Sequence, residues 1–370
     1  MSAPFLRRLY RTRFLDRVFV TVASGFSVAV VGATGAVGQE FIRLFEDRSF
    51  PIRELKLLAS TRSAGKTQMW RGQQISIAEA TPAAFDGVQV AFFSAGASRS
   101  KALVPAALEA GAVVIDNSSA FRMSPESELV VPEINGHLIT PGQRLYSVPN
   151  CTAIILLMAV APLRKLGNID RLIVSTYQSA SGGGAAMMQQ LLDETRRSLD
   201  TNGLDFRAPD SKIPPYAFNL FSHNTPIQDN GFNEEEQKVI DESRRILEDP
   251  SLRVNVTCVR VPVLRAHSES ITVEFEGDAP AVEEAWRVLG ASPGVQVIDD
   301  RHANRFPTPL DASGQGDVLV GRIRRDPSNP NALILFACGD QLLKGAALNA
   351  LQIAEAYIGL GQPAAVPATA

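Results

Sequence analysis

The chain has 370 residues, of which 45% are hydrophobic and 20% are charged, and its formal net charge is −3. This composition is typical of a globular protein with a sizeable core, and it excludes a disordered, collagen-like or coiled-coil chain. Because the net charge is slightly negative, the chain has no overall positive electrostatic potential that would attract nucleic acid. The three widely spaced cysteines, Cys151, Cys258 and Cys338, indicate neither a disulfide framework nor a thiolate zinc site.

The N-terminal residues 1–26 contain five arginines and a single acidic residue. We expect an unstructured extension here, although an Arg-rich, acid-poor start is also typical of an organellar transit peptide, and that alternative stays open. No apolar run reaches the roughly 18 residues of a membrane-spanning helix, so we expect no membrane partner. The cysteine usage fits a reducing compartment, and the simplest expectation is a cytoplasmic protein.

A glycine-rich turn follows the first predicted strand, residues 27–31, and precedes a predicted helix. Its spacing is GxxGxxG, and the order of strand, glycine turn and helix is the context of a dinucleotide-binding site. Glycines let the backbone approach a pyrophosphate, and the helix start then faces that anion with free N–H groups. The turn residues expected at the cofactor are Gly32, Thr34, Gly35, Ala36 and Val37.

The end of the second predicted strand, residues 54–59, favours NADP over NAD. An NAD site usually places an acid there to bind the ribose 2′-hydroxyl, and this chain has none. Arg62, flanked by Ser60 and Ser63, instead suits a 2′-phosphate through bidentate N–H donation.

Strand and helix patterns continue to alternate, with strands at residues 88–93 and 112–115 around a helix at 101–110. Repeated βα units of this kind predict an α/β fold with a Rossmann-type, doubly wound parallel sheet. Ligands bind at the carboxyl ends of such strands. The residues expected there are Ser94, Gly96, Asn117 and Ser118.

Cys151 follows Pro149 and Asn150 and precedes an apolar helix at residues 153–162. It should therefore lie in or beside the first helical turn, where the helix dipole is expected to lower the thiol pKa. Free N–H groups of that turn could hold an oxyanion. Beside a nicotinamide site, such a thiolate suggests addition to an aldehyde and hydride transfer to form a thioester, from which a second nucleophile releases the acyl group. Cys258 and Cys338 lie in apolar runs and are expected to be structural.

The chain resembles the aspartate-semialdehyde dehydrogenase family from about residue 28 to residue 358. The resemblance rests on separated motifs, at residues 32–38, 59–65, 116–122, 149–151, 177–182, 235–238, 258–262, 267–269 and 344–347. It implies the reversible, NADP-dependent conversion of L-aspartate 4-semialdehyde and phosphate to 4-phospho-L-aspartate. It also implies a place in lysine, threonine and methionine biosynthesis, and a homodimer or homotetramer.

The resemblance implies a role for four residues around the nucleophile. Cys151 matches the nucleophile, and Asn150 the residue that positions it. His267 matches the general acid/base, and an unperturbed histidine pKa near 6.5 suits that role. Gln178 matches the residue that orients the bound acyl group.

Four further residues match the family's substrate contacts. Arg122 and Lys238 resemble the phosphate-binding pair, Glu235 the partner of the substrate ammonium, and Arg260 the clamp on its carboxylate. Strand alternation alone does not separate Arg260 from a rival, Arg265, because a proline interrupts the run.

Local patterns place Glu235 and Lys238 on one helix face, because they are three residues apart. Asn233 should cap that helix, and Glu236 should complete a capping box. The other three histidines, His137, His223 and His302, are expected to be structural. Four scattered histidines predict no metal site.

The resemblance implies that Ser181, Gly182 and Gln341 lie at the nicotinamide. The family usually has Asn where this chain has Gln341, so its amide lies one methylene farther out, which puts cofactor affinity in doubt.

The predicted domains are an NADP-binding domain at residues 27–149 and an α+β catalytic and dimerisation domain with a mixed sheet at 150–342. Residues 343–358 should form a helix that packs back on the first domain, before a tail at 359–370.

Two other functions remain open from the sequence. One is an enzyme like N-acetyl-glutamyl-phosphate reductase, although its acylated substrate nitrogen would give Glu235 no cation to bind. A separate enzyme option, a thioester reductase on the same scaffold, is disfavoured by the phosphate-binding pair Arg122 and Lys238. The other is a non-catalytic nucleotide-binding paralogue, although the presence of Cys151, Gln178 and His267 disfavours it.

Overall fold

The structure, a computed structural model, describes residues 25–200 and 214–359. Most of the predicted N-terminal extension and the tail from residue 360 onward lie outside the described residues. Within the described ranges, no helix has the length and apolar character needed to cross a bilayer.

The first sheet has eight strands in the spatial order β3-β4-β2-β1-β5-β6-β8-β7. They are β1 (Phe26–Val31), β2 (Ile52–Ala59), β3 (Thr67–Trp70), β4 (Gln73–Glu79), β5 (Val90–Phe93), β6 (Val113–Asp116), β7 (Glu128–Leu129) and β8 (Leu145–Ser147). All neighbouring pairs are parallel except the edge hairpin β3–β4. The predicted Rossmann-type sheet is therefore confirmed.

Three helices belong to this half: α1 (Ala36–Asp47), α2 (Ala97–Glu109) and the short α3 (Pro132–Asn135). Alternate residues of β1 enter different cores, with Val28 and Val30 packed in the cluster of Phe41 and Ala29 in the cluster of Leu103. Both faces of the sheet are thus covered, which explains why β1 is apolar throughout rather than alternating.

The second sheet has seven strands in the order β10-β11-β9-β12-β15-β14-β13. They are β9 (Ile169–Gln178), β10 (Phe221–Ser222), β11 (Arg253–Arg260), β12 (His267–Phe275), β13 (Val295–Val297), β14 (Val318–Arg325) and β15 (Ala332–Gly339). It mixes parallel pairs, such as β9–β11, with antiparallel pairs, such as β9–β12. The predicted mixed sheet is confirmed.

The register of the second sheet brings three predicted site residues to one end of it. Arg260 is opposite Gln178, and His267 begins the next strand, where Ser268 is opposite Tyr177. The helices of this half are α4 (Cys151–Val160), α5 (Ala185–Asp200), α6 (Glu234–Ile246), α7 (Val282–Gly290) and α8 (Pro309–Ala312). Helix α4 is buried almost completely and packs on β12, β15 and α6.

The C-terminal segment begins with a π-helical turn, Leu343–Ala347, and continues as α9 (Leu348–Tyr357) rather than as one regular helix. It returns to the first half of the molecule. Lys344, fully buried, donates to Glu133 at 2.5 Å, to Asn349 at 3.1 Å and to Gln352 at 2.8 Å. A buried charge needs such partners, so this network fixes the segment in place.

Candidate active site

A cavity of about 490 Å³ lies between the two halves of the molecule. All eight residues predicted to be catalytic or substrate-binding line it: Arg122, Asn150, Cys151, Gln178, Glu235, Lys238, Arg260 and His267. So do eight of the predicted cofactor residues: Gly35, Ala36, Val37, Ser94, Asn117, Ser181, Gly182 and Gln341. The remaining seven predicted cofactor residues are outside its lining: Gly32, Thr34, Ser60, Arg62, Ser63, Gly96 and Ser118.

The start of α1 forms one wall of the cavity. Gly35 occupies the N-cap position, and no side chain caps the first-turn N–H groups. Gly32 has φ of +91°, and a Cβ there would collide with the Ser94 carbonyl, while one at Gly38 would collide with the Gly32 carbonyl. The glycines therefore permit close packing of turn, strand and helix, and the open N–H groups fit a dinucleotide pyrophosphate.

The end of β2 leads into a short 3₁₀ turn, Thr61–Ser63. Thr61 donates to Glu79 at 2.5 Å, and Ser63 is buried. Arg62 is exposed and makes no hydrogen bond or ion pair with any residue that the structure describes. Its guanidinium is thus available to an anion at the site where a 2′-phosphate is expected.

Cys151 begins α4, as the sequence predicts. The Asn150 side-chain oxygen accepts from the N–H groups of Thr152 at 2.9 Å and Ala153 at 3.3 Å, which is an N-cap. The expected low thiol pKa is wrong. Burial, together with the nearby Glu235 carboxylate, raises the pKa of Cys151 to about 12, although Arg260 and Arg122 act in the opposite direction.

Glu235 lies in the first turn of α6. The predicted capping box between Asn233 and Glu236 is present at the start of this helix. One carboxylate oxygen of Glu235 accepts from Asn150 at 2.9 Å and from Gln178 at 3.1 Å. Its other oxygen is 3.8 Å from the Lys238 ammonium, so the two side chains share a helix face as predicted. Burial opposes ionisation, yet His223, these hydrogen bonds and Lys238 lower the pKa of Glu235 to about 2.

Arg122 is buried and held at three points. It donates to the carbonyls of Val148 and Asn117, both at 2.9 Å, and pairs with Glu242 at 3.1 Å. A guanidinium has five N–H groups, so two are left for a ligand in the cavity. Glu242, which the sequence reasoning missed, also accepts from the Asn150 N–H at 2.5 Å. Burial raises the pKa of Glu242, and the Arg122 charge opposes that rise.

The structure shows which of the two arginines, Arg260 or Arg265, is available to a ligand in the cavity. Arg265 pairs with Asp340 at 2.6 Å and with Glu40 at 2.7 Å, and it does not line the cavity. Arg260 does line it, donates to the Ser179 carbonyl at 3.2 Å, and keeps a buried Nε without a partner among the described residues. Its charge is therefore the one available to a carboxylate.

His267 accepts a hydrogen bond at Nδ1 from the Ser179 N–H, at 3.0 Å. Burial and the Arg260 charge lower the pKa of His267 to about 3, so the expectation of an unperturbed value near 6.5 is wrong. His223, expected to be structural, in fact lines the cavity beside Glu235 and Lys238. Burial lowers its pKa to about 4.

Comparison with known proteins finds relatives that match most of this chain. Residues 27–141 match the NAD binding domain of semialdehyde dehydrogenases, and residues 160–344 match their dimerisation domain. Aspartate-semialdehyde dehydrogenase of Prochlorococcus marinus is 50% identical over 331 residues, which cover 89% of this chain and 95% of that protein. The enzyme of Bacillus subtilis is 43% identical over 90% of this chain and 97% of its own.

The chain belongs to the aspartate-semialdehyde dehydrogenase family.

Among solved structures, aspartate semialdehyde dehydrogenase II of Vibrio cholerae, complexed with ASA, superposes with a TM-score of 0.84 at 38% identity. The match covers 90% of this chain and 98% of that one. This chain is accordingly an oxidoreductase of amino-acid biosynthesis with a nicotinamide cofactor.

Both ends of the Gln341 side-chain amide are hydrogen-bonded within the protein. Its oxygen accepts from the Ala266 N–H at 2.9 Å, and its nitrogen donates to the Ser181 hydroxyl. Two of the three residues expected at the nicotinamide, Ser181 and Gln341, are therefore hydrogen-bonded to each other. Gly182 lies against the site, where a Cβ would be 2.9 Å from the Arg260 Nη1 and 3.0 Å from the His267 Cε1.

Gly345 is a further residue of the aspartate-semialdehyde dehydrogenase site that the sequence reasoning did not single out. A Cβ at this position would lie 2.8 Å from the Cys151 Cβ. Its signal was present in the motif at residues 344–347, in which only glycine lets the π-helical turn lie directly against Cys151. Among the described residues, no group of three or more potential metal ligands exists.

Proposed function

We propose that the protein catalyses the reversible, NADP-dependent reductive dephosphorylation of 4-phospho-L-aspartate to L-aspartate 4-semialdehyde. The acyl group is carried as a thioester on Cys151, and the reaction belongs to lysine, threonine and methionine biosynthesis. The working form is a homodimer built through the domain at residues 160–344, with a homotetramer as the alternative.

The observation that carries this proposal is the charge pattern of the cavity. One ionised carboxylate, Glu235, lies among three cationic side chains, Arg122, Lys238 and Arg260, around the Cys151 thiol. 4-Phospho-L-aspartate has the complementary groups: an ammonium for Glu235, a carboxylate for Arg260 and a phosphate for Arg122 and Lys238. Arg122 retains free N–H groups, and Arg260 is unpaired, so both cations can bind without breaking an existing ion pair.

The bound substrate also explains how a thiol with a raised pKa becomes reactive. Glu235 is the second cause of that rise, after burial. A substrate ammonium at Glu235 neutralises this carboxylate and lowers the thiol pKa, so the nucleophile is activated only when the correct substrate is present. The nicotinamide, when bound, supplies or accepts the hydride. On this protein, the α1 start and Arg62 support binding of the pyrophosphate and the 2′-phosphate.

The test is formation of NADPH from L-aspartate 4-semialdehyde, phosphate and NADP⁺, followed by absorbance. We expect phosphate-dependent NADPH formation by the wild type and none by Cys151→Ala. Cys338→Ala, which removes a buried cysteine that does not line the cavity, is the matched control and should stay active. An inactive, well-folded wild type would contradict the proposal.

The same assay separates the main alternatives. N-acetyl-L-glutamate semialdehyde has no ammonium for Glu235, so we expect it to react far more slowly than L-aspartate 4-semialdehyde. If the N-acetylated substrate reacted faster, the reductase alternative would be correct. If neither reacted, the non-catalytic paralogue would remain.

A further inference from the structure

Glu269 is a buried carboxyl group that the proposed reaction does not use. It lies on β12, two residues after His267, and its exposed fraction is 0%. Neither of its carboxyl oxygens has a hydrogen-bond partner among the residues that the structure describes. An ionised carboxylate is costly to bury in this way, so the group needs either a cation beside it or a proton on it.

Among the described residues, no cation faces Glu269 from its own sheet or from α4. Helix α4, which packs on β12, has no charged side chain. Across the sheet, Glu269 is opposite Thr176 on β9 and Ala337 on β15, and neither carries a charge. The nearby titratable groups that sense its charge are the thiols of Cys258 and Cys338. Burial therefore raises the pKa of Glu269 well above its usual range, and the group is a neutral acid.

A neutral carboxylic acid has one O–H group, and this donor needs an acceptor when it is buried. The backbone beside Glu269 does not supply one, because β12 is paired with β9 on one side and with β15 on the other. Gln178, on β9, has a buried side-chain oxygen without a partner among the described residues. This oxygen is therefore a candidate acceptor.

The register of the sheet brings the two side chains to neighbouring positions on one face. Glu269 is opposite Thr176, and Gln178 is two residues farther along β9, on the same buried face as Thr176. Val174 and Ile271, the next pair along this face, belong to the same core cluster. Diagonal neighbours in an antiparallel pair are about 7–8 Å apart, a span that two long side chains can bridge.

The nitrogen of the Gln178 amide is already engaged. It donates to the Thr152 hydroxyl at 2.7 Å and to Glu235 at 3.1 Å. Rotation of the amide would turn its oxygen toward the Glu235 carboxylate, which is ionised because its pKa is lowered to about 2. A donor on the oxygen side would therefore hold the amide in the arrangement that positions its N–H groups at Thr152 and Glu235.

Glu269 and Gln178 make no direct hydrogen bond, yet they leave three buried oxygen atoms without a partner in adjacent rows of one sheet face. Buried water in proteins typically makes about three hydrogen bonds to polar atoms of this kind. A single water can accept from the Glu269 O–H and donate to the Gln178 oxygen. This arrangement would satisfy the donor of one residue and the acceptor of the other.

We propose that Glu269 is a positioning residue: as a neutral acid it donates, through one buried water, to the side-chain oxygen of Gln178 and so fixes the direction of the Gln178 amide at the cavity. The acid keeps its proton throughout, so no proton passes to or from Glu269 in the reaction. This inference deepens the proposed function and rests on it only for the reaction that Gln178 serves.

Infrared spectroscopy of the full-length protein, without substrate or cofactor, tests whether Glu269 carries a proton. The C=O stretching band of a protonated carboxyl group is well separated from the bands of a carboxylate. Asp116 and Glu242 are also buried, with raised pKa values, so the difference between wild type and Glu269→Gln assigns the band of Glu269. We expect one acid band that persists from about pH 5 to about pH 8. An ionised Glu269 at neutral pH would overturn the proposal, whatever the enzyme's substrate is.

The frequency of the same band reports the contact with Gln178. Gln178→Leu removes the acceptor oxygen, so the Glu269 acid becomes less strongly hydrogen-bonded, and we expect its band to move to higher frequency. Ser268→Ala is the matched control, because this neighbouring hydroxyl contacts Cys338, at 3.2 Å, on the opposite face of the sheet. It should leave the band in place. A band at the same frequency in Gln178→Leu and wild type would overturn the contact.

Substitution of Glu269 separates a hydrogen-bond donor from a residue that only fills space. Glutamine keeps an N–H donor at this position, whereas leucine has a similar size and no donor. We expect kcat of Glu269→Gln to stay within about threefold of wild type and kcat of Glu269→Leu to fall about 10- to 100-fold, with a smaller change in KM. Thermal unfolding shows whether both variants are folded. Equal kcat values in the two variants would overturn the donor role. An inactive wild type would instead reject the proposed function, and the infrared result would still decide the state of Glu269.

Discussion

Two helices, α1 and α4, begin at the same cavity but use their first-turn N–H groups differently. At α1, Gly35 leaves these groups without a side-chain cap, so they are open to an anion. At α4, Asn150 occupies two of them, and the same side chain also donates to Glu235. The comparison shows that a helix start is an anion site only where the chain leaves its donors unoccupied.

The same comparison explains why the helix start does not make Cys151 acidic. A helix N-terminus is worth about 0.3–1 kcal/mol to a nearby negative charge, which is less than one pKa unit. Burial and Glu235 raise the thiol pKa from 9.0 to about 12, a change several times larger. Burial and Glu235, rather than the helix dipole, therefore set the thiol pKa, and a ligand cation that neutralises Glu235 would relieve the second of these two effects.

The largest expected effect comes from placing a cap on α1. Gly35→Asp adds a carboxylate that can accept from the first-turn N–H groups and repel a pyrophosphate. We expect NADPH affinity to fall by about 100-fold, as the loss of charge-assisted hydrogen bonds worth about 1.5–3 kcal/mol implies. Quenching of protein fluorescence by NADPH measures this.

Gly35→Ala is the control for this experiment, since it adds the same Cβ, 3.3 Å from the Gly32 carbonyl, without the charge or the cap. An equal loss of affinity in both variants would show that space at Gly35, not open N–H groups, is what the cofactor needs.

The reverse change removes the cap of α4. Asn150→Ala frees two N–H groups and deletes the hydrogen bond to Glu235, so both Cys151, the proposed nucleophile, and Glu235, the proposed ammonium partner, lose support. We expect turnover to fall about 10- to 100-fold and stability to fall by about 1 kcal/mol. Thr308→Ala, which removes the N-cap of α8 away from the cavity, should show a stability loss without the activity loss. Unchanged turnover in Asn150→Ala would mean that the cap has no catalytic importance.

Glu235→Gln tests the effect of the Glu235 charge on the pKa of Cys151. Removal of the negative charge lowers the pKa of Cys151, and the thiolate fraction at a fixed pH below that pKa rises. We expect alkylation by iodoacetamide at neutral pH to become about tenfold faster, as a shift of one pKa unit gives. Glu234→Gln, in the same helical turn but outside the cavity, should leave the rate unchanged. Slower alkylation in Glu235→Gln would show that the carboxylate promotes thiolate formation.

The smallest effect is expected at the other end of the proposed cofactor. Arg62→Ala removes an exposed guanidinium from the 2′-phosphate position, and we expect the ratio of kcat/KM for NADP to that for NAD to fall about fivefold, because exposed ion pairs are worth up to about 1 kcal/mol. Arg53→Ala removes another exposed arginine of β2 and should not change this ratio. If the ratio were the same in Arg62→Ala and wild type, residues other than Arg62 would determine the cofactor preference.

The sequence predicts the α1 half of the site well because that half is built from the backbone. A strand, three spaced glycines and a helix specify the turn locally, and the structure has β1, the turn and α1 in the expected places. The Asn233 capping box is equally local, since its partners are three residues apart. Patterns of this kind need no knowledge of the tertiary fold.

The α4 half depends on side chains that are distant in the sequence. Ser179 and His267 are 88 residues apart, and Arg122 and Glu242 are 120 apart, so no local pattern shows these bonds. Glu242 had one weak signal, its position seven residues after Glu235 on the same helix face. The pKa of Cys151 was predicted in the wrong direction because its burial and its distance from Glu235 arise only from the packing of α4 against α6.

The position of Gly345 against Cys151 has a consequence for how the enzyme is made. During synthesis the ribosome releases α4 long before the π-helical turn, and the first half of the molecule can fold while the C-terminal segment is still missing. In that interval the thiol lacks the backbone that later covers it, and Glu133 lacks the buried lysine that pairs with it. The nascent protein therefore presents Cys151 without the backbone of Gly345 against it until residues 344–347 have emerged and packed.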